Sequence, residues 1–261
     1  MSNLHKIVRI YCVAVLAIII AAAALSVTAA SASSSPGAAR GQAARGLAEP
    51  GQAAPGQAER GPDFPDGLRI HKARFPAYSK WSSAMACGQT HARGGERGCA
   101  RQLGKPCRLD RWARVLDTLR QAGPERQISA VDEFINANAF ISDRDNWGMK
   151  DYWSAPGEFF ANGGDCEDYV IAKYLSLRRL GFRADDLRLV VLIDQTRRLA
   201  HAVLVVQRDG RALVLDNLED RVRPWSELPH YRPLYSLNEQ AVWLHVTVRE
   251  TAQLAQAQTR H

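Results

Sequence analysis

Apolar residues in the second half of the chain follow first a helical and then a strand spacing. Residues 108–122 and 129–138 place apolar side chains three or four positions apart, which predicts two amphipathic helices. A third helix is predicted to begin after Asp165, a suitable N-cap residue, and to end at Gly181. Residues 142–156, between the second and third helices, are polar and aromatic, and we predict a long loop there.

Beyond the third helix the chain carries the patterns of β-strands. Three short apolar runs predict buried strands, and these are residues 187–193, 201–207 and 212–216. Asp209-Gly210, between the last two runs, is a strong signal for a two-residue hairpin turn. Residues 242–248 alternate apolar and polar side chains and predict a further strand. Helices followed by antiparallel strands indicate an α+β fold in which helices pack on one sheet.

The beginning of the chain has the features of an export signal. Lys6 and Arg9 precede an apolar run over residues 10–27, and Ala30-Ser31-Ala32 is a small-residue cleavage pattern. Residues 1–32 therefore form a signal peptide or, if they are not cleaved, an anchor that tethers the protein to the membrane through residues 10–27. Both alternatives send the rest of the chain across the inner membrane.

Residues 33–62 form a predicted linker of Ala, Gly, Gln and Pro. Leu47 is its only large apolar residue, so the linker cannot bury enough surface to offset chain entropy. It is either a flexible tether or a processed remnant without a role. We divide the remainder into an N-terminal extension over residues 63–107, one domain over residues 108–250 and a flexible tail over residues 251–261.

The five cysteines are unevenly distributed. Cys87, Cys99 and Cys107 cluster in a Gly- and Arg-rich segment, whereas Cys166 stands apart. In an oxidising compartment two of the three clustered cysteines can pair, and the sequence leaves open which two. A zinc site is the competing hypothesis, but the spacings of 12 and 8 residues lack the paired Cys-x-x-Cys of such sites.

The chain of 261 residues is basic, with a formal net charge of +7. Its basic residues are mostly scattered arginines, without a Lys/Arg block and without interleaved aromatic residues. This pattern indicates a solvated basic surface rather than a nucleic-acid interface, so we expect no nucleic-acid partner.

Cys166 is a candidate nucleophile because it directly follows the predicted N-cap of the third helix. A helix N-terminus offers unpaired N–H groups and a partial positive charge, and both stabilise a thiolate. The glycines at positions 163 and 164 let the backbone turn sharply and leave room for a substrate. Taken alone, the position also fits a buried structural thiol.

The predicted hairpin supplies a base for this thiol. A two-residue turn at Asp209-Gly210 sets Val203 opposite Asp216, so that His201 and Asp216 become diagonal neighbours on one face. Their backbones are then about 7–8 Å apart, within reach of the side chains. We interpret Cys166, His201 and Asp216 as a catalytic triad, in which the carboxylate orients the imidazole. The alternative is a His–Asp pair that only stabilises the core.

Three acidic residues lie beside the thiol: Asp165, Glu167 and Asp168. Their charges repel a thiolate, and a bound divalent cation would cancel them; clustered carboxylates suit calcium. The alternative assigns Asp165 and Asp168 to helix capping and leaves Glu167 in solvent. Asp143 and Asp145 match the start of a calcium loop, but later ligand positions are missing, and we interpret the match as chance.

Five short blocks of the sequence form a recognisable set. They are Asp151-Tyr-Trp-Ser-Ala-Pro-Gly-Glu-Phe-Phe, Gly164-Asp-Cys-Glu-Asp-Tyr-Val-Ile-Ala-Lys-Tyr, His201-Ala-Val-Leu, Leu215-Asp-Asn-Leu and Arg223-Pro-Trp. The set resembles the bacterial transglutaminase-like cysteine proteinases, and in particular the LapG-type periplasmic adhesin proteases. The similarity runs from about Arg111 to Trp243.

This resemblance implies a papain/transglutaminase-like fold with the nucleophile at the N-terminus of the central helix. It implies a cysteine peptidase with the triad Cys166, His201 and Asp216. It also implies calcium dependence through Asp165 and Glu167, with Asp168 as a further ligand.

The resemblance also implies a location and partners. LapG-type proteases act in the periplasm on large surface adhesins, which they cut in the N-terminal region, commonly at paired alanines. An inner-membrane receptor that senses cyclic di-GMP holds and inhibits them, and their release controls adhesion and biofilm dispersal. The linker and the insert over residues 87–107 depart from the family pattern. They leave open whether this protein is anchored and whether its adhesin and receptor are of the usual kind.

Two other functions fit the same residues. A transglutaminase or a cell-wall peptide amidase would use an identical triad, so the residues alone do not separate these reactions from proteolysis. A non-enzymatic binding module would keep the fold, but such proteins usually lose a triad residue and this chain retains all three.

Overall fold

The structure, a computed structural model, describes residues 64–65, 67–92 and 109–245. The predicted signal peptide or anchor, the linker, the C-terminal tail, Cys99 and Cys107 all lie outside these residues, and their assignments stay predictions. Within the described ranges, no helix combines the length and the apolar character needed to cross a membrane.

The described residues contain helices and strands in the following order. The helices are α1 (Pro76–Ala92), α2 (Leu109–Leu119), α3 (Pro124–Asn136), α4 (Asp143–Trp147), α5 (Pro156–Asn162) and α6 (Cys166–Arg179). Short 3₁₀ turns occur at Lys72–Arg74, Ala184–Asp186 and Trp225–Glu227. The strands are β1 (Leu68–Ile70), β2 (Leu187–Asp194), β3 (Leu199–Arg208), β4 (Arg211–Leu215), β5 (Arg223–Pro224), β6 (Tyr231–Leu237) and β7 (Val242–Leu244).

The strands form one antiparallel sheet in the order β1-β7-β6-β2-β3-β4-β5. Helix α6 packs on β2 and β3 at the centre of the sheet, and α1, α3 and α5 pack around α6. This arrangement confirms the predicted α+β fold. The hairpin turn is also confirmed: Arg208 pairs with Arg211, and Asp209 and Gly210 both have positive φ, as a type I′ turn requires.

Some element boundaries differ from the predicted ones. Helix α3 begins at Pro124 rather than at residue 129, because proline fits the first turn of a helix as well as a helix end. The prediction of an unbroken loop over residues 142–156 is wrong, since this stretch contains α4 and the start of α5. Ser142 caps α4 by accepting the N–H of Asp145 at 3.2 Å.

The sequence patterns do not predict β1, α1 or β6. Strand β6 has Pro233 in its interior, and proline is a residue that argues against a central strand. The strand accommodates this proline beside an irregularity, where its register with β2 shifts between Val191 and Leu192. Strand β1 and helix α1 come from the predicted N-terminal extension, and they pair with β7 and pack on α6, respectively.

Helix α6 is the centre of the main hydrophobic core. Every residue from Cys166 to Leu177 is buried, so these turns of the helix have no solvent-facing side. A second apolar cluster covers the opposite face of the sheet. There Phe64 packs edge-on against Trp225 with ring centroids 4.8 Å apart, which fastens the start of the described chain to the sheet.

A buried ion pair joins α6 to α3. Lys173 Nζ lies 2.7 Å from Asp132 Oδ1, and both side chains are almost fully removed from solvent. Burial lowers the pKa of Lys173 and raises the pKa of Asp132, while their mutual attraction opposes both shifts. Each charge therefore depends on the other for its stability inside the core.

Breaking this pair should be costly, and removing it altogether should not. Lys173→Met leaves a buried carboxyl group without its cation, and we expect a loss of roughly 3–5 kcal/mol in unfolding free energy. The double variant Lys173→Met/Asp132→Leu should recover most of that loss. As a control, Arg120→Met breaks the exposed Arg120–Asp117 pair and should cost less than about 1 kcal/mol. Urea denaturation measures all three; a Lys173→Met protein as stable as the control would contradict the expectation.

Candidate active site

Cys166 is the first residue of α6 and is buried. The chain reaches it through two glycines that leave no room for a side chain. Gly163 has φ of +83°, and a Cβ there would collide with the carbonyl oxygen of Ala139. A Cβ at Gly164 would collide with the carboxylate of Asp168. The glycines therefore allow the chain to pass close to its neighbours just before the thiol.

His201 and Asp216 are joined by a short hydrogen bond. His201 lies on β3, Asp216 directly follows β4, and the distance from Nε2 to Oδ1 is 2.7 Å. Both side chains are buried. With Nε2 facing Asp216, the other ring nitrogen of His201, Nδ1, is the one that can exchange a proton with a nucleophile.

Three donors in total hold the Asp216 carboxylate. Besides His201, the Leu218 N–H donates to Oδ1 at 2.8 Å, and the Tyr231 hydroxyl donates to Oδ2 at 2.5 Å. Burial alone would raise the pKa of Asp216, but His201 and these hydrogen bonds outweigh it and hold the pKa below its usual range. Asn136 also fixes the main chain here, because its Nδ2 donates to the Asp216 carbonyl oxygen at 2.8 Å. Asp216 is therefore an ionised acceptor whose orientation these hydrogen bonds determine.

The Cys166 thiol lies on a helix that packs against β3, the strand that carries His201. Its Sγ donates to Oε2 of Glu167 at 3.0 Å, and Glu167 is itself buried. The sequence alternative that turned Glu167 toward solvent is therefore wrong. The thiol therefore has a carboxylate acceptor, Glu167, directly beside it.

Buried carboxylates surround the start of α6. Oxygens of Asp143, Asp165 and Asp168 lie within 4.8 Å of one another, and Asp165 and Glu167 form a second such group with Cys166 Sγ. Burial and mutual repulsion raise the pKa values of Asp165 and Asp168 well above normal. Burial, with repulsion from Glu167, raises the pKa of Asp143 to about 7. Such a cluster is unfavourable without a compensating cation.

The carboxylate oxygens that remain without a partner are the kind of ligand that a hard cation such as calcium binds. Oδ1 of Asp143 and Oδ1 of Asp165 are buried and have no hydrogen-bond partner. The two oxygens of Asp168, in contrast, accept the backbone N–H groups of Ser154 and Asp165 at 2.6 and 3.2 Å. Asp143 and Asp165 could therefore hold calcium through oxygen ligands, with Glu167 beside Asp165 as a third. Asp168 lies in the same cluster and also fixes the backbone through its own hydrogen bonds.

The sequence patterns do not identify Asp143 as a metal ligand. Its position in the sequence resembles the start of a calcium loop, but the missing later ligand positions indicate a chance match. The loop pattern is absent, but α4 brings Asp143 to the start of α6, where it joins Asp165 and Asp168. Asp145 is exposed and instead accepts the Ser142 hydroxyl at 2.6 Å. Only one of the two aspartates thus reaches the cluster.

The same carboxylates hold the segment of residues 152–155. Asp143 accepts the N–H of Tyr152 at 2.5 Å, and Asp168 accepts that of Ser154. Glu158 accepts the N–H of Ala155 at 2.9 Å. The position of this segment is therefore coupled to the acidic cluster through backbone hydrogen bonds.

Comparison with known proteins gives this site a family. Residues 97–251 match the bacterial transglutaminase-like cysteine proteinases, a match that covers more than half of the chain. The chain belongs to this family. It is a cysteine peptidase by family and has the transglutaminase-like fold that its sequence predicts.

Solved structures of LapG are similar to the structure of this chain. Calcium-bound LapG of Legionella pneumophila is 27% identical, with a TM-score of 0.50, and the match covers 68% of this chain and 98% of LapG. LapG of the same organism treated with EGTA has the same identity and TM-score, with 74% of this chain and 98% of LapG covered. A comparison with functionally curated proteins finds no match.

The approach to Cys166 yields a test of the glycine turn. Gly163→Ala puts a side chain at positive φ against the Ala139 carbonyl group, and we expect a loss of roughly 1–3 kcal/mol in unfolding free energy. Gly123→Ala is the matched control, since φ there is −63° and a Cβ meets nothing within 4 Å. It should cost less than about 1 kcal/mol. Equal urea midpoints for the two variants would refute the requirement for glycine at position 163.

Proposed function

We propose that this cysteine peptidase is a calcium-dependent periplasmic endopeptidase that cleaves the N-terminal region of a large surface adhesin. The observation that carries the catalytic part is the buried 2.7 Å hydrogen bond between His201 and Asp216, on the strand hairpin beside the helix that begins with Cys166. The adhesin, and a role in adhesion and biofilm release, come from the likeness to LapG-type proteases.

The chemistry follows from the ring orientation of His201. Nδ1 accepts the proton of the Cys166 thiol, and Sγ attacks the carbonyl carbon of the peptide bond. His201 then passes the proton to the leaving amine, which departs and leaves an acyl-enzyme. Water gives a proton to His201 and hydrolyses the thioester, which restores the thiol. Asp216 stays ionised throughout and stabilises the charged imidazole.

Backbone N–H groups supply the oxyanion site in this proposal. The Cys166 N–H lies at the N-terminus of α6, where the helix dipole favours negative charge. A second donor comes from residues 152–153. The Tyr152 N–H already donates to Asp143, so Trp153 is our candidate for that donor.

Calcium is proposed to bind Asp143, Asp165 and Glu167. The support is the pair of partnerless buried oxygens on the two aspartates, together with the calcium-bound structure of LapG. When bound, calcium supplies positive charge that offsets the carboxylates beside the thiol. Asp168 holds the Asp165 and Ser154 backbone next to this site through its own hydrogen bonds.

The proposed location and partners rest on the sequence. The predicted export signal supports a periplasmic protein, with a membrane tether through residues 10–27 if the signal is retained. An inner-membrane cyclic di-GMP receptor is the proposed inhibitory partner, by likeness to LapG-type proteases. Finding genes for such a receptor and for a giant repeat adhesin beside this gene would support both partners.

The triad makes a direct prediction. Cys166→Ala should abolish cleavage of the recombinant N-terminal region of the adhesin, because the nucleophile is lost. His201→Ala and Asp216→Ala should each slow it by at least about a hundredfold. Arg120→Met, which removes an exposed ion pair with Asp117 outside the site, should leave the rate unchanged.

Gel electrophoresis and mass spectrometry of the products decide this test. Two fragments support proteolysis, whereas a crosslinked or deamidated glutamine would favour the transglutaminase or amidase alternative. A Cys166→Ala protein that still cleaves would refute the triad.

The metal site makes a second prediction. Excess EGTA should abolish cleavage, and Asp143→Asn, Asp165→Asn and Glu167→Gln should weaken calcium binding in isothermal titration calorimetry. A free calcium concentration about 100 times the dissociation constant should stabilise the folded protein by about 2.7 kcal/mol, which raises its melting temperature. Asp145→Asn, on the exposed neighbour of Asp143, should behave as wild type. Full activity in excess EGTA would refute the dependence on calcium.

A further inference from the structure

We propose that Tyr231 is a positioning residue for the reaction, because its hydroxyl locks the Asp216 carboxylate in the orientation that His201 requires. The inference rests on the proposed triad of Cys166, His201 and Asp216. It adds a residue that none of the sequence motifs contains, since Tyr231 begins β6, a strand that the sequence patterns do not predict.

The hydrogen bonds divide the two oxygens of Asp216 between different donors. Oδ1 receives His201 Nε2 at 2.7 Å and the Leu218 N–H at 2.8 Å. Oδ2 receives the Tyr231 hydroxyl at 2.5 Å. Rotation of the carboxylate about its Cβ–Cγ bond would break the bonds on both oxygens together. Without the tyrosine, the Oδ2 side loses this anchor.

Tyr231 is itself held firmly. Its backbone N–H donates to the Leu228 carbonyl oxygen at 2.9 Å, and the residue is 5% exposed. Its ring packs edge-on against Trp225 and His230, with centroid distances of 6.3 and 4.5 Å, and is also edge-on to the ring of His201 at 6.5 Å. A phenol confined in this way can transmit its position to the carboxylate.

The chemistry of the donor also suits the role. A buried anion needs hydrogen-bond donors, and a lysine or arginine would supply them together with a positive charge. That charge would compete with the imidazolium ion that Asp216 has to stabilise. A tyrosine hydroxyl gives a short hydrogen bond to the carboxylate and leaves its negative charge available to His201.

Tyr174 provides a matched comparison for a purely structural tyrosine. Its hydroxyl also donates to a carboxylate, Glu239 Oε1, at 3.3 Å, and its side chain is fully buried. It lies two turns along α6 from Cys166, and Glu239 is also paired with Arg178 rather than with a triad residue. Tyr174→Phe therefore removes a comparable hydroxyl without touching Asp216.

The experiment compares Tyr231→Phe with Tyr174→Phe in the full-length protein with calcium present. With a quenched fluorogenic peptide containing Ala-Ala, we expect Tyr231→Phe to lower kcat about ten- to a hundredfold and to leave KM within about twofold. Alkylation of Cys166 by iodoacetamide, followed by mass spectrometry, should slow in parallel. The NMR resonance of the His201 Nε2 proton should move in Tyr231→Phe and stay in place in Tyr174→Phe.

A double-mutant cycle keeps the proposal distinct from a loss of stability. If Tyr231 acts through Asp216, adding Tyr231→Phe to Asp216→Ala should cause no further loss of activity. Melting temperatures identify any variant that is partly unfolded, and rates are compared only between folded variants. Further loss in the double variant, or a Tyr231→Phe protein that matches Tyr174→Phe in kcat and in the His201 resonance, overturns the proposal.

The single variants of the triad separate the two levels of inference. If His201→Ala and Asp216→Ala keep full activity, the proposed triad fails, and the role of Tyr231 fails with it. If they lose activity while Tyr231→Phe does not, only the positioning role is overturned.

Discussion

The hydrogen bond between His201 and Asp216 is the interaction on which the rest of the site depends. Both groups are buried, so each would be costly without the other. The two come from different strands, β3 and the end of β4, and their contact therefore requires the correct hairpin register. Groups from α3 and β6 then converge on the same carboxylate residue, as the bonds from Asn136 and Tyr231 demonstrate. The orientation of the His201 imidazole therefore depends on four elements: β3, the end of β4, α3 and β6.

The acidic cluster imposes the opposite constraint, because it places like charges together inside the protein. Capping and backbone hydrogen bonds stabilise part of this charge, most fully at Asp168. The buried Oδ1 atoms of Asp143 and Asp165 have no hydrogen-bond partner, and a bound cation would compensate their charge. Since Asp143 and Asp168 also hold the backbone of residues 152–154, a cation at this site would act on the chain beside Cys166 as well as on the charge around it.

Local signals allowed much of this arrangement to be predicted. Asp209-Gly210 determines the hairpin register, and the register brings His201 and Asp216 together without any knowledge of the remaining fold. The start of the helix at Cys166 is likewise predicted by the residues just before it, Gly163, Gly164 and Asp165. Asp143 and Tyr231 could not be found in this way. Their contacts depend on how α4 and β6 pack, and both elements lie in stretches whose patterns were weak, with Pro233 breaking the strand signal of β6.

Cys166 is proposed to be a nucleophile activated by His201. Covalent trapping tests it most directly: the enzyme is treated with an Ala-Ala chloromethyl ketone in calcium, and peptide mapping locates the adduct. We expect a single adduct on Cys166 that inactivates the enzyme and forms far more slowly in the His201→Ala variant. An adduct on Cys87 instead, or equally fast labelling of Cys166 without His201, would contradict it.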